Sequence, residues 1–380
     1  MAASSRSPAR LIRFALRATL LLALLHVYIG WSLLPALHLT PPGLRVGILL
    51  LATSALLMPL GMFARFLFSR QALVDRLTLA GTLVMGLFSS LFVLTLLRDL
   101  LLWAMTPALV SDTALAVPAL ASLITFIGYV NVRRLPRVVT VEIPLKNLPL
   151  ALEGFTLVQI SDIHVGPTIK RDYVEAIVAR VNALQADLVV ITGDVVDGSV
   201  PQLSRDTASL AKLASRYGTF VVTGNHEYYS GATAWVAEFQ RLGLTPLMNA
   251  HAVITHQGAS LVLAGVTDFN AQLFDAAQKS DPAAALVGSP AGLPRILLAH
   301  QPRSADAAEA AGFDLQLSGH THGGQFWPWN YLVRLQQPYT AGLHRHGKLW
   351  VYTSRGTGYW GPPKRFGAPA EITRICLKRA

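Results

Sequence analysis

Two histidines separated by one small residue and boxed by glycines, Gly319-His320-Thr321-His322-Gly323-Gly324-Gln325, can aim two imidazoles at one point without crowding. Neutral imidazole is a common ligand for zinc, manganese and iron, and glycine permits the tight turns that a metal loop demands. Alone, the pattern fits surface histidines as well as it fits metal binding. It gains meaning from what precedes it: Asp162-x-His164, Gly193-Asp194, Gly224-Asn225-His226-Glu227 and His300. The candidate donors Asp162, His164, Asp194, Asn225, His300, His320 and His322 mix carboxylate, amide and imidazole without thiolate. That mixture suits manganese, iron or zinc at a hydrolytic site rather than a closed structural zinc site. The set is too large for one ion and about right for two that share a bridging carboxylate. Two divalent cations roughly 3.5–4 Å apart lower the pKa of a hydroxide held between them and neutralise phosphoryl oxygens, so phosphoester hydrolysis is the natural chemistry.

Each of these motifs ends a short apolar run that reads as a buried strand. Strands are expected over 138–143, 155–160, 187–192, 219–223, 260–266, 295–299 and 314–317, and helices over 172–184 and 203–215. A hairpin over 343–352 should turn at His346-Gly347. Metal-type residues therefore fall at the C-terminal ends of strands, the edge where open α/β sheets place their ligands.

The first third of the chain is of another kind. The whole sequence is 52% hydrophobic and 14% charged, with a mean hydropathy of +0.43, too apolar for an ordinary soluble enzyme. Residues 1–137 hold 12 arginines, no lysine and only Asp75, Asp99 and Asp112 as acids, so most of the net charge of +11 lies there. Four stretches, 16–34, 46–68, 77–97 and 113–130, approach the roughly 17–25 residues a helix needs to cross a bilayer. They are apolar on every face, which excludes a soluble bundle. Arginines collect before the first span, between the second and third (Arg65, Arg70, Arg76) and after the fourth (Arg133, Arg134, Arg137). By the positive-inside rule both termini are cytoplasmic. A cleaved signal peptide is disfavoured by the three further spans and the lack of a small-x-small site. Arg98 and Asp99 read as an interfacial pair at a span end. No basic stripe with interleaved aromatics points to nucleic acid, and the lone Cys376 excludes an internal disulfide.

The order D-x-H, GD-x-x-D, GNHE, lone His, GH-x-H over 138–380 resembles the calcineurin-like metallophosphoesterase superfamily. The chain is most similar to its bacterial membrane-associated members, through LPLALEGFTLVQISDIH (148–164), the GGQ after His322, and SRGTGYWGPPKRFGAPAEI (354–372). The resemblance implies a four-helix transmembrane region (1–137) followed by an α/β domain (138–380) with a central β-sandwich flanked by helices. It implies one ion, manganese first and iron or zinc otherwise, held by Asp162, His164 and His322. The second is held by Asn225, His300 and His320, with Asp194 bridging and the bridging hydroxide attacking phosphorus. His226 would sit by the leaving oxygen as general acid, or as a cationic stabiliser of developing charge, oriented by Asp197. The expected partners are the bilayer, in a bacterial inner membrane, and a lipid-linked phosphodiester or pyrophosphate substrate, with a general phosphodiesterase or phosphomonoesterase on soluble substrates as the same-class alternative. A non-catalytic metal-containing module is the reading from another class. Glu227 should brace its loop, and His251, His256, His344 and His346 should serve the surface or the packing. The aromatic run 326–331 reads as packing or as a lip for a lipid-linked substrate. Arg355, Lys364 and Arg365 are candidate phosphate or headgroup contacts.

Overall fold

The structure, a computed structural model, describes residues 8–104 and 110–380; Arg6 and the side chain of Arg10 lie outside the described residues. The chain divides into two compact units. One comprises the chain up to Arg133 together with Gly361–Phe366; the other comprises Arg134–Trp360 and Gly367–Ala380.

Four helices build the first unit: α1 (Pro8–Leu33), α2 (Pro41–Leu67), α3 (Gln71–Ala104) and α4 (Val110–Arg133). Each contains a segment long and apolar enough to span a membrane, from 22 to 33 residues with mean hydropathy 1.8–2.1. The helices overrun the apolar runs because backbone hydrogen bonding continues into the polar flanks. Thr40 starts α2, its hydroxyl accepting from Gly43 N with proline in the first turn. Helices α2 and α3 cross at Gly61 and Gly81, where a methyl on either would meet the other's backbone. Such close crossings of small residues replace the hydrophobic drive that lipid removes. Polar side chains turn inward: His26 Nε2 bonds Ser54 Oγ at 2.8 Å and stacks on Phe88. Arg98 pairs with Asp99 at 2.9 Å. The segment Gly361–Phe366 is part of this unit: Lys364 Nζ donates to Gly86 O and Thr125 Oγ1, and Arg365 N donates to Gly128 O.

In the second unit twelve strands form two six-stranded sheets. The first contains β1 (Arg137–Leu145), β2 (Thr156–Ile160), β3 (Leu188–Ile191), β4 (Thr219–Val221), β5 (Thr245–Pro246) and β12 (Glu371–Arg379). Their order is β1-β12-β2-β3-β4-β5, with β2 to β5 parallel. The second contains β6 (Ala250–His256), β7 (Ala259–Gly265), β8 (Arg295–Leu298), β9 (Leu315–Ser318), β10 (Gly342–His346) and β11 (Leu349–Thr353), in the order β10-β11-β9-β8-β7-β6. Alternate residues of both sheets meet in one core: Leu157, Leu188, Val190 and Phe220 from the first, and Leu261, Leu263, Ile296, Leu298, Leu315 and Leu317 from the second. Helix α5 (Arg171–Asn182) buries Val174, Ile177, Val178 and Val181, a stripe at helical spacing.

Sequence periodicity finds most of these strands but misses β5, β6 and β12. The expected helix 203–215 is instead α6 (Val200–Thr207), opened by a Ser199–Gln202 capping box, followed by a 3-10 turn. Strand β12 alternates well, yet its place between β1 and β2 is long-range pairing that no local pattern encodes.

Candidate metal centre

Strands β2, β3, β4, β8 and β9 all release the chain at the same rim. There the backbone turns abruptly: Asp162 (φ 53°), His164 (56°), Asp194 (52°), His320 (71°) and His322 (52°) all occupy the left-handed region. For residues with a Cβ this costs on the order of 1–3 kcal/mol each and persists only where neighbours enforce it. The enforcement is visible. Asp162 N donates to Gly193 O and His164 N to Asp194 O. Buried Glu227 accepts from the backbone of Asp194, Val195 and Gly224 at 2.7–3.0 Å, tying two loops together as its expected bracing role requires. A methyl on Gly224 would collide with the Asp194 carboxylate, and one on Gly319 with Ser161 and Asp162, so both positions exclude any larger residue.

The side chains converge in two groups. Asp162, His164 and His322 bring donor atoms within 4.8 Å of one another, and so do Asp194, His300 and His320. Asp194 reaches both: its Oδ2 is 3.2 Å from His300 Nε2 and 3.8 Å from His164 Nε2. His164 and His322 present Nε2 to Nε2 at 3.0 Å, and His320 Nδ1 faces His300 Nε2 at 3.2 Å. Asn225 Oδ1 is buried without a hydrogen-bond partner. Imidazole lone pairs aimed at one another and an orphaned amide oxygen are what a donor set for cations looks like. The residues fit divalent metal ions.

A second layer fixes the imidazoles. Asp197 Oδ1 accepts from His164 Nδ1 at 3.0 Å and also from His226 Nδ1, which turns both Nε2 atoms toward the site. His300 Nδ1 donates to Thr192 O at 2.7 Å with the same result. Burial would lower the His226 pKa, but the Asp194 carboxylate and the bond to Asp197 outweigh it and raise the group to about 9. Burial likewise works against the Asp197 carboxylate, yet His164 and His226 hold it well below its ordinary value. Asp162, encased, is pushed up by burial. His226 also comes within ligand reach of His164 and Asp194.

Some sequence-selected residues lie elsewhere. Lys364 and Arg365 belong to the helical unit, and Arg355 pairs with Glu371 at 2.9 Å. His251 bonds Ala285 O, His256 bonds Tyr217, His344 bonds Ala341 O, and His346 bonds Tyr339 and Asp306. Of the aromatic run, Phe326 is buried while Trp329 and Tyr331 are exposed. The rings that touch His226 are others: Tyr229, with centroids 5.2 Å apart, and Trp360, at 5.6 Å. Sequence reading passed over both. The available signal was an aromatic three residues past His226 and a tryptophan inside the GTGYWGPP run.

The calcineurin-like phosphoesterase family profile matches residues 155–324. A transmembrane protein with metallophosphoesterase domain from Bos taurus is 41% identical over 69% of this chain and 63% of its own length. Its Danio rerio namesake is 40% identical over 71% and 63%. The chain thus spans less than two thirds of the length of these two relatives. An uncharacterized metallophosphoesterase from Aquifex aeolicus is 32% identical over 64% of this chain and 92% of its own. Animal and bacterial proteins both match, so the likeness is not confined to bacterial members. On the strength of these matches, the chain belongs to the calcineurin-like metallophosphoesterase family.

Proposed function

We propose that the protein is a membrane-anchored phosphoesterase that uses two divalent metal ions, manganese first, to cleave a phosphodiester or pyrophosphate bond, with a lipid-linked substrate preferred over a soluble one. The observation that carries this reading is Asp194, whose single carboxylate lies within reach of both donor groups. Asp162, His164 and His322 would hold one ion, and Asn225, His300 and His320 the other. Bound, the ions would supply a hydroxide nucleophile at neutral pH and offset charge on the phosphoryl oxygens.

The protein's own groups do the rest. Asp197 holds the His226 ring by Nδ1, so Nε2 carries the proton that reaches the leaving oxygen. The same carboxylate holds His164, so one residue sets the orientation of a ligand and of the acid. Glu227 keeps the Asp194 and Asn225 loops in register. The four apolar helices support anchoring in a membrane, and the arginine distribution supports a cytoplasmic catalytic unit.

The test uses full-length protein in detergent, stripped of metal and reloaded with manganese, acting on bis(p-nitrophenyl) phosphate. Hydrolysis should return on reloading and fall in His226→Ala with manganese still bound. Two bound manganese ions with no turnover of any phosphoester would instead identify a binding module.

A further inference from the structure

The His226 ring contacts two aromatic side chains that the proposed chemistry does not use. Tyr229 and Trp360 both meet it edge-on. Both residues remain accessible: Tyr229 is 58% exposed and Trp360 54%. Their placement is nonetheless fixed. Gln325 clamps the Trp360 backbone from both sides, its Nε2 donating to Trp360 O and its Oε1 accepting from Trp360 N, each at 2.9 Å. Phe274 packs against Tyr229 at 5.6 Å and against Tyr228 at 5.7 Å, and Tyr228 is pinned by its hydroxyl to Gln278. Phe274 is 49% exposed, and the adjacent Leu273 is 71% exposed.

An ordered aromatic rim that starts at the proposed acid and continues outward as apolar side chains has a direction. A substrate whose leaving oxygen meets His226 carries its leaving group over Tyr229, Phe274 and Trp360. Apart from the His226 imidazole itself, these contacts join uncharged rings. The geometry points to a hydrocarbon seat at this rim, which holds an alkyl or isoprenoid chain attached through the phosphoester oxygen. The inference rests on the proposed hydrolytic reading and names its substrate class. A nucleobase could stack on the same exposed rings, so a nucleoside monophosphate is the competing ligand. The Gln325 clamp makes this residue a positioning residue for Trp360, which explains a glutamine three residues beyond His322.

The experiment compares octyl phosphate with ethyl phosphate, and with a nucleoside monophosphate, as ligands of the manganese-loaded full-length protein. Binding is read by calorimetry, so the result does not depend on turnover. Each methylene taken from water adds roughly fourfold in affinity. Even two or three seated methylenes then make octyl phosphate bind at least tenfold tighter than ethyl phosphate. Tyr229→Ala, Phe274→Ala and Trp360→Ala should each cut that ratio severalfold, while partition into detergent stays common to all. Equal affinities of the two alkyl phosphates in the unsubstituted protein overturn the proposal. So does a ratio that survives all three substitutions, or a nucleoside monophosphate that outbinds octyl phosphate. Failure to hydrolyse bis(p-nitrophenyl) phosphate, with the chain-length ratio intact, would strike the hydrolytic reading alone.

Discussion

Two polar clusters in this protein, one in the helical unit and one at the sheet rim, differ in hydrogen-bond balance. In the helical unit, Arg98 donates to Asp99, Ser32, Thr113 and Val110 O, while Asp99 also accepts from Tyr28 and Ser32. Each donor there faces an acceptor, and all six residues lie in or beside regular helix. At the sheet rim, imidazole nitrogen faces imidazole nitrogen, Asn225 Oδ1 has no partner, and five donor residues sit in left-handed backbone. Balanced clusters hold a fold together. A cluster with surplus lone pairs and stored strain is arranged for a cation that the protein must bring in.

The largest effect should come from Asp194, whose carboxylate reaches His164 of one donor group and His300 of the other. Asp194→Ala is expected to lower turnover of bis(p-nitrophenyl) phosphate by about a thousandfold or more, as loss of a metal-site carboxylate removes both charge balance and alignment. Manganese stoichiometry, read by elemental analysis, should drop from two to at most one. Full stoichiometry would erase the contrast drawn above. His226→Ala should lower kcat by about 10²–10⁴ with stoichiometry unchanged, the range for loss of a general acid. A loss of metal instead would make His226 a ligand, in line with its reach to His164 and Asp194.

How much of this was legible follows from the range of the interactions. The four spans were plain because a bilayer forces local composition, although the helices outrun the apolar runs that announce them. The donors were plain because motif order and strand ends coincide. The dual hold of Asp197 on His164 and His226 was only half legible: the residue was chosen, but its bond to His164 depends on two loops meeting in space. Tyr229 and Trp360 were missed because an aromatic in a loop carries no periodicity; Trp360 meets His226 across more than a hundred positions, and Gln325, legible in its motif but without a role, reaches Trp360 across 35. Lys364 was misplaced for a related reason. Its charge suggested phosphate, whereas its ammonium bonds the backbone and hydroxyls of α3 and α4.

Metal removal tests the balance argument through stability. Ligands that bind only the folded state stabilise it by about 2.7 kcal/mol at one hundred times their dissociation constant. For a unit of this size, that is a Tm rise of roughly 5–10 °C on manganese addition. The rise should be seen for the unsubstituted protein and shrink in Asp194→Ala. A manganese-independent Tm would mean the donor groups are already satisfied.

The balanced cluster makes the opposite prediction and has the smallest net effect. Arg98→Ala leaves Asp99 without its cation and should cost about 2 kcal/mol, less than the roughly 3–5 of a fully buried pair because Asp99 keeps 29% exposure. Arg98→Met with Asp99→Leu removes both charges and replaces their volume, and should change stability by less than about 1 kcal/mol, since the desolvation of the pair is relieved along with its attraction. Thermal unfolding in detergent reads both, and kcat should stay within about twofold throughout, because neither residue takes part in the rim. If the double replacement lowered turnover while the protein stayed folded, the helical cluster would be more than a structural bond, and the distinction between balanced and unbalanced clusters would fail at the end where it is cheapest to test.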